Sequence, residues 1–186
     1  MSAVLHVPRG AYETLCAHLL GQRGEAAAFI YTKPKSSDGD LRLDFIELEL
    51  VSPKDCRGGS LYGIELTDTA RSRVIAKAAQ LAASITEAHS HPFTRRGAMF
   101  SGIDLEGLKE FVPHVWWRLR GGPYAALVFG QRDFDALVWV ASPDNPLGLS
   151  ALALDDGRTL KPTGRTTRYL QQSGDHEWMK RGTLGK

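Results

Sequence analysis

Cysteine is scarce in this sequence of 186 residues, which contains only Cys16 and Cys56. Two cysteines exclude a disulfide-stapled scaffold and a zinc site built from four thiolates. Long apolar runs are also missing, since none reaches the roughly 18 residues that a membrane-spanning helix needs. The first residues lack the basic segment and apolar run of a secretory signal. We therefore expect a cytoplasmic protein with reduced cysteines and no membrane partner.

An excess of charge of either sign is absent as well. Lysine and arginine number 23 and aspartate and glutamate number 21, which gives a formal net charge of +2. Dedicated nucleic-acid binders usually carry a clear basic excess, so we expect no nucleic-acid partner. At about 150 residues per domain, the length predicts one domain and a remainder. We place the domain at residues 1–150 and a C-terminal tail or linker at residues 151–186, because large apolar side chains become sparse near the end.

Hydrophobic periodicity predicts helices mixed with strands, and hence an α/β fold class. Apolar residues three and four positions apart indicate helices that begin near Pro8, after an N-cap at Thr67, and after an N-cap at Ser101. Alternating or continuous apolar runs predict strands at residues 3–7, 25–31, 41–51, 61–66, 84–88, 123–129 and 134–140. A polar segment at residues 34–39 predicts a turn.

The segment His89-Ser90-His91-Pro92 carries the chemistry that the sequence makes visible. Residues i and i+2 of a strand point the same way, so both imidazoles face one point, and Pro92 ends the strand. Asp104 follows Ser101 by three residues in the first turn of the next predicted helix. Two histidine nitrogens and one carboxylate oxygen form a three-residue ligand set for zinc whose fourth position stays open, the pattern of a catalytic site.

Such a site also needs a carboxylate that takes a proton from water without binding the metal. Glu25 is the first choice, because it opens an apolar strand without an evident structural reason to be there. Glu87 is the local competitor, since it lies two residues before His89 and points to the same face. Glu47 and Glu49 on the predicted strand 41–51 are weaker candidates.

With Glu25 upstream of His89-Ser-His91-Pro and Ser101-x-x-Asp104, the sequence resembles the JAMM (MPN+/JAB) zinc metalloprotease family over about residues 3–142. The resemblance implies an α+β fold, a cytidine-deaminase-like MPN/JAB core with a mixed curved β-sheet flanked by helices. It also implies that His89, His91 and Asp104 bind one catalytic Zn²⁺. The general acid/base would be Glu25, and Ser101 would stabilise the tetrahedral intermediate.

The same resemblance implies a deubiquitinase-like isopeptidase or peptidase of bacterial type. Such an enzyme cleaves after the C-terminal glycine of a ubiquitin-like protein, in deconjugation or precursor processing. E1-like and E2-like enzymes are the implied partners, in a bacterial conjugation or antiphage defence system. Two alternatives stay open, a processing peptidase for a sulfur-carrier protein and a non-catalytic MPN module that binds a modifier. An extended substrate tail commonly binds by adding a strand to the edge of a sheet. We expect residues 52–66 to provide that edge.

Overall fold

A computed structural model describes residues 1–57, 64–94 and 96–173 of the chain. These residues form one mixed sheet with strand order β7-β6-β5-β4-β2-β3-β1-β8-β9, flanked by helices. The expected fold class, a mixed curved sheet flanked by helices, is confirmed. The strands are β1 Ala3–Val7, β2 Ala27–Ser37, β3 Asp40–Leu50, β4 Ser84–Ser90, β5 Tyr124–Phe129, β6 Phe134–Trp139, β7 Leu147–Gly148, β8 Ala151–Leu154 and β9 Thr159–Leu160. The helices are α1 Arg9–Leu20, α2 Asp68–Gln80, α3 Gly102–Arg118 and α4 Arg165–Gln172.

Apolar side chains cover both faces of the sheet, because successive residues of a strand point to opposite sides. One face packs on α1 through Leu15 and Leu19. The other face packs on α2 and α3, with Val74 and Leu108 among the buried contacts. The interior strand β5, between β6 and β4, is therefore buried along its whole length, which explains why its sequence is a continuous apolar run.

The predicted turn at residues 34–39 is wrong in its extent. β2 continues to Ser37, and only Asp38 and Gly39 form the turn into β3, with φ of +50° and +81°. An Asp-Gly pair suits a two-residue hairpin turn with positive φ at both positions. Pro34 is accommodated within β2 because β4 pairs only as far as Thr32, so that β2 is open on one side beyond that point.

The predicted boundary at residue 150 does not coincide with an edge of the fold. β8 pairs in parallel with β1, in the register Val4↔Ala151 to Val7↔Leu154, and α4 contacts β6. Residues 151–173 thus belong to the sheet and its flanking layer, and the prediction of a tail is corrected for them. β8 is an apolar run, Ala-Leu-Ala-Leu, but it is only four residues long and is followed by a segment with few large apolar side chains, which hid it in the sequence pattern. Residues 174–186 lie outside the described residues.

Two further expectations concern segments near the gaps in the description. Of the predicted strand 61–66, residues 61–63 lie outside the described residues, and so do residues 58–63 of the proposed substrate-guiding edge at 52–66. Leu66 forms a single antiparallel bridge with Cys56. Among the residues that the structure describes, no helix is long and apolar enough to cross a membrane.

Candidate metal centre

The pairing of β4 with both of its neighbours positions the two predicted histidines. β4 runs antiparallel to β2, in the register Ala27↔His89, and parallel to β5, in the register His89↔Val128. Immediately after β4, the backbone N–H of His91 donates a hydrogen bond to the carbonyl of Phe129 at 2.8 Å. The two imidazole rings lie 5.0 Å apart between centroids, so the i, i+2 prediction of a shared direction is met.

Asp104 is held in place by the start of α3. The backbone N–H of Ser101 donates to Asp104 Oδ2 at 2.6 Å, and the backbone N–H of Asp104 donates to Ser101 Oγ at 3.2 Å. This reciprocal pair is a capping box, which satisfies backbone donors that the first helical turn leaves unpaired. The Ser-x-x-Asp spacing thus has a structural role of its own, and that role fixes the carboxylate.

The ligand atoms of these three residues converge. Asp104 Oδ1 lies 3.5 Å from His89 Nε2, and Asp104 Oδ2 lies 3.2 Å from His91 Nε2. All three side chains are mostly shielded from solvent, with exposed fractions of 14, 15 and 16% for His89, His91 and Asp104. One ligand atom from each residue lies within 4.8 Å of the other two, so this group could hold a metal ion.

His89 supplies an independent test of whether a metal fits. Its Nε2 is buried from solvent and makes no hydrogen bond to any described residue. A buried polar atom without a hydrogen bond is uncommon, because it loses its interaction with water, and the 3.5 Å contact with Asp104 Oδ1 is too long to be a good replacement. The nitrogen lies close to the ligand atoms of His91 and Asp104, and a metal ion bound between these atoms would give it a coordination bond. The donor set and this orphaned nitrogen therefore both fit a bound metal.

Charge coupling within the cluster favours an ionised carboxylate. Burial by itself would raise the pKa of Asp104, but the neighbouring imidazoles of His89 and His91 and the Ser101 contact outweigh it and hold this pKa well below its usual range. Burial lowers the pKa of His89, yet the adjacent Asp104 and the more distant Glu87 and Glu25 carboxylates reverse the shift and raise it. The cluster thus combines an ionised carboxylate with two imidazoles.

Glu25 lies beside the ligand cluster at the end of the β2–β4 ladder. Ala26 extends the pairing, since its N–H donates to Ser90 Oγ and its carbonyl accepts from the Ser90 N–H, both at 3.0 Å. Glu25 then stands opposite His91, with Oε1 3.8 Å from His91 Nε2 and 12% of the side chain exposed. The residue precedes β2 by two positions, so the prediction that Glu25 opens the strand is off by those two residues.

The other candidate carboxylates are engaged elsewhere. Glu87 accepts a hydrogen bond from the hydroxyl of Tyr124, and burial raises its pKa against the opposing effect of that bond. Glu49 accepts from the hydroxyl of Tyr31 at 2.8 Å and pairs with Arg73 and Lys77 of α2. Glu47 pairs with Lys77 at 2.6 Å. These two strand carboxylates therefore stabilise the contact between β3 and α2.

An open cleft of about 340 Å³ gives access to the cluster. The described residues that line it are Glu25, His91, Phe93, Thr94, Ser101, Ile103 and Asp104. Neither His89 nor Glu87 is among them. Phe93 and Ile103 are 55% and 78% exposed on its rim. Sequence reasoning missed this pair, although large apolar residues directly after the histidine motif and inside Ser-x-x-Asp were a visible signal. Exposed apolar side chains beside a cleft are typical of a site that contacts another molecule.

The comparisons with known proteins show a similar fold and carry no information about the chemistry of the site. No family model matches the chain, and no curated protein matches it. Among solved structures, it is similar to the solution structure of protein DSY2949 from Desulfitobacterium hafniense, with 14% sequence identity and a TM-score of 0.51. The match covers 82% of this chain and 92% of that one. At that identity the likeness shows a shared fold alone, so the function has to be argued from the site.

Proposed function

We propose that the protein is a zinc-dependent isopeptidase or peptidase of JAMM type that cleaves after the C-terminal glycine of a ubiquitin-like protein. The observation that carries the proposal is the convergence of His89, His91 and Asp104, together with the open cleft that His91, Asp104 and Glu25 line. The elements that bring these residues together are far apart in sequence. The arrangement has the residue types and relative positions that the resemblance to the JAMM family implies.

The donor set favours Zn²⁺ among divalent metals. Imidazole nitrogen and carboxylate oxygen are common zinc ligands, and three protein ligands with one open position distinguish catalytic zinc sites from structural ones. When bound, the metal would act as a Lewis acid on a carbonyl oxygen and lower the pKa of water. The capping box holds Asp104 in place, and the neighbouring imidazoles of His89 and His91 keep the pKa of its carboxyl low.

Glu25 is the proposed general acid/base. Its Oε1 accepts a proton from the attacking water as the water oxygen bonds to the carbonyl carbon. The same carboxyl gives that proton to the nitrogen as the carbon–nitrogen bond breaks, so that a free amine and a carboxylic acid result, and the acid then loses its remaining proton to solvent. Its low exposure in the cleft shields this transfer from bulk water.

Ser101 is the proposed oxyanion donor. Its Oγ already accepts a hydrogen bond from the Asp104 N–H, and a hydroxyl that accepts still has its own proton to donate. Because Ser101 is exposed at the cleft, that proton is available to an oxygen that becomes negatively charged as the carbonyl is attacked.

The substrate follows from the resemblance and from the shape of the site. A glycine tail has no side chains to exclude from a cleft of this size, and its extended backbone is the part presented for cleavage. The proposed partners are a ubiquitin-like protein and E1-like or E2-like enzymes of a bacterial conjugation or antiphage defence system. A sulfur-carrier precursor offers the same glycine terminus, so the two substrates are compared directly in the test.

Purified protein is loaded with zinc, and fusions of a ubiquitin-like protein and of a sulfur-carrier protein to a reporter are each incubated with it. We expect about one zinc per chain and cleavage of the ubiquitin-like fusion directly after its terminal glycine. Faster cleavage of the sulfur-carrier fusion would assign the alternative substrate. Binding of a modifier without cleavage of either fusion by the zinc-loaded protein would overturn the enzymatic proposal and favour a modifier-binding module.

A further inference from the structure

A buried carboxylate on β6 replaces the missing side-chain cap of α4. Gly164 is the N-cap residue of this helix, with φ of +64°, and offers no side chain for capping. Asp135, which is fully buried, accepts hydrogen bonds from the N–H of Gly164 at 2.8 Å and the N–H of Thr166 at 2.7 Å. The helix is thereby anchored to the sheet at its first turn, where a negative charge is favoured.

Thr166 extends this anchor into the loop between the metal ligands. Its hydroxyl donates to Asp135 Oδ2 at 2.7 Å and accepts from the backbone N–H of Phe100 at 3.1 Å. A threonine hydroxyl has a single proton, so the bond to the carboxylate turns an oxygen lone pair toward Phe100. Thr166 is fully buried, and no water competes for either bond.

Phe100 in turn connects His89 with the start of α3, which carries Asp104. Its ring packs edge-on against the His89 ring, with centroids 5.7 Å apart, and the next residue, Ser101, begins the capping box that holds Asp104. The described part of the segment before it has no regular structure. That part is tied at Ala98, whose N–H donates to Asp133 and whose carbonyl accepts from Thr163, both at 2.8 Å.

We infer that Thr166 and Asp135 are positioning residues for the metal centre, acting through Phe100. His89 comes from β4 and Asp104 from α3, and the described residues between these two elements form no helix or strand that could fix the separation of the ligands. The Asp135–Thr166 pair fixes it from outside, by holding Phe100 against His89 and Ser101 at the start of α3. Residues that orient metal ligands typically change metal affinity 10- to 100-fold when they are removed. The inference rests on the proposed metal site.

Thr166→Val tests the inference, with Thr167→Val as its matched control. Both changes replace a threonine of α4 by an isosteric residue. The Thr167 hydroxyl, however, has no hydrogen-bond partner among the described residues, whereas the Thr166 hydroxyl has two. Zinc affinity is measured by competition with a chelator, and site geometry by the visible absorption of the Co²⁺-loaded protein. Melting of the metal-free variants reports any general loss of stability.

We expect Thr166→Val to weaken zinc binding by about tenfold or more and to change the Co²⁺ spectrum. Thr167→Val should bind zinc within about twofold of the wild type, and Thr166→Ser, which keeps the hydroxyl, should restore affinity and spectrum. If Thr166→Val does not fold, Phe100→Leu is measured instead, since it keeps the backbone bond and removes the ring contact with His89. That change should also weaken binding severalfold.

The possible results separate this inference from the proposed function. If the wild type binds zinc and Thr166→Val matches Thr167→Val in affinity and spectrum, the positioning role is overturned while the metal site stands. Loss of stability in Thr166→Val without a change in zinc affinity or Co²⁺ spectrum also overturns it. If the wild type binds no zinc, the metal site itself is overturned, and the positioning role with it.

Discussion

Glu25 faces His91 across the end of the β2–β4 ladder, with its Oε1 3.8 Å from His91 Nε2. The relationship follows from the register Ala27↔His89, which the Ala26–Ser90 pair continues by one step. Glu25 thus lies next to the ligand cluster, close enough for its carboxylate to reach a water molecule bound there.

Replacing Glu25 by Gln should abolish proton transfer while leaving the metal ligands intact. Loss of a general base typically costs 10²- to 10⁴-fold in rate, and we expect kcat/KM for a glycine-terminated fusion to fall by about that factor. The zinc content per chain should stay at the wild-type value. Cleavage kinetics and metal analysis of the same preparation check both parts.

Glu87→Gln is the control for this prediction. The Glu87 carboxyl is buried and accepts a hydrogen bond from Tyr124. We therefore expect kcat/KM of Glu87→Gln to stay within about tenfold of the wild-type value, a smaller change than the loss of a general base causes. A large loss in Glu87→Gln together with an active Glu25→Gln would reverse the assignment of the base.

Removing the metal should lower the thermal stability of the protein. A ligand that binds only the folded state stabilises it by about 4.1 kcal/mol when its concentration is 1,000 times Kd. We expect the Tm to fall when a chelator is added and to recover when zinc is restored. His89→Ala lacks one ligand, so its Tm should respond little to either treatment. A wild-type Tm that ignores zinc would contradict the prediction.

Ser101 has a capping role and a proposed catalytic role, and Ser101→Ala should affect both. Loss of an N-cap side chain costs about 1 kcal/mol of stability, measurable by chemical denaturation. Loss of an oxyanion donor costs about 10²- to 10³-fold in kcat. Ser101→Thr keeps a hydroxyl and should preserve most of both quantities. A normal kcat in Ser101→Ala would show that the hydroxyl serves the helix alone.

The contact between β3 and α2 predicts a pH dependence that involves Glu49. Burial opposes ionisation of this carboxyl, but hydrogen bonds from Tyr31, Lys77 and Arg73 outweigh burial and lower its pKa. A lowered folded-state pKa stabilises the protein above the unfolded-state pKa, about 4.3, and this contribution disappears as the pH falls through the folded-state value. Glu49→Gln should therefore have a lower Tm than the wild type at pH 7, and the difference should shrink below about pH 4. A Tm difference between Glu49→Gln and the wild type that does not change with pH would contradict the proposed contribution of the ionised Glu49.

Local sequence spacing was sufficient for several features of the site. The i, i+2 spacing of His89 and His91 predicted one shared direction, because a strand alternates its side chains whatever its neighbours are. The Ser101-x-x-Asp104 spacing predicted the start of α3, because a capping box is completed within one helical turn. Each of these depends on contacts between residues at most three positions apart.

The sequence by itself therefore determined the mixed α/β class, the histidine pair and the capped carboxylate. Only the tertiary structure decided that Glu25 faces His91, that β8 completes the sheet beside β1, and that Thr166 reaches Phe100. These relationships join residues 65 or more positions apart. They depend on strand register and on buried hydrogen bonds between distant segments, and such pairings leave no periodic signal in the local sequence.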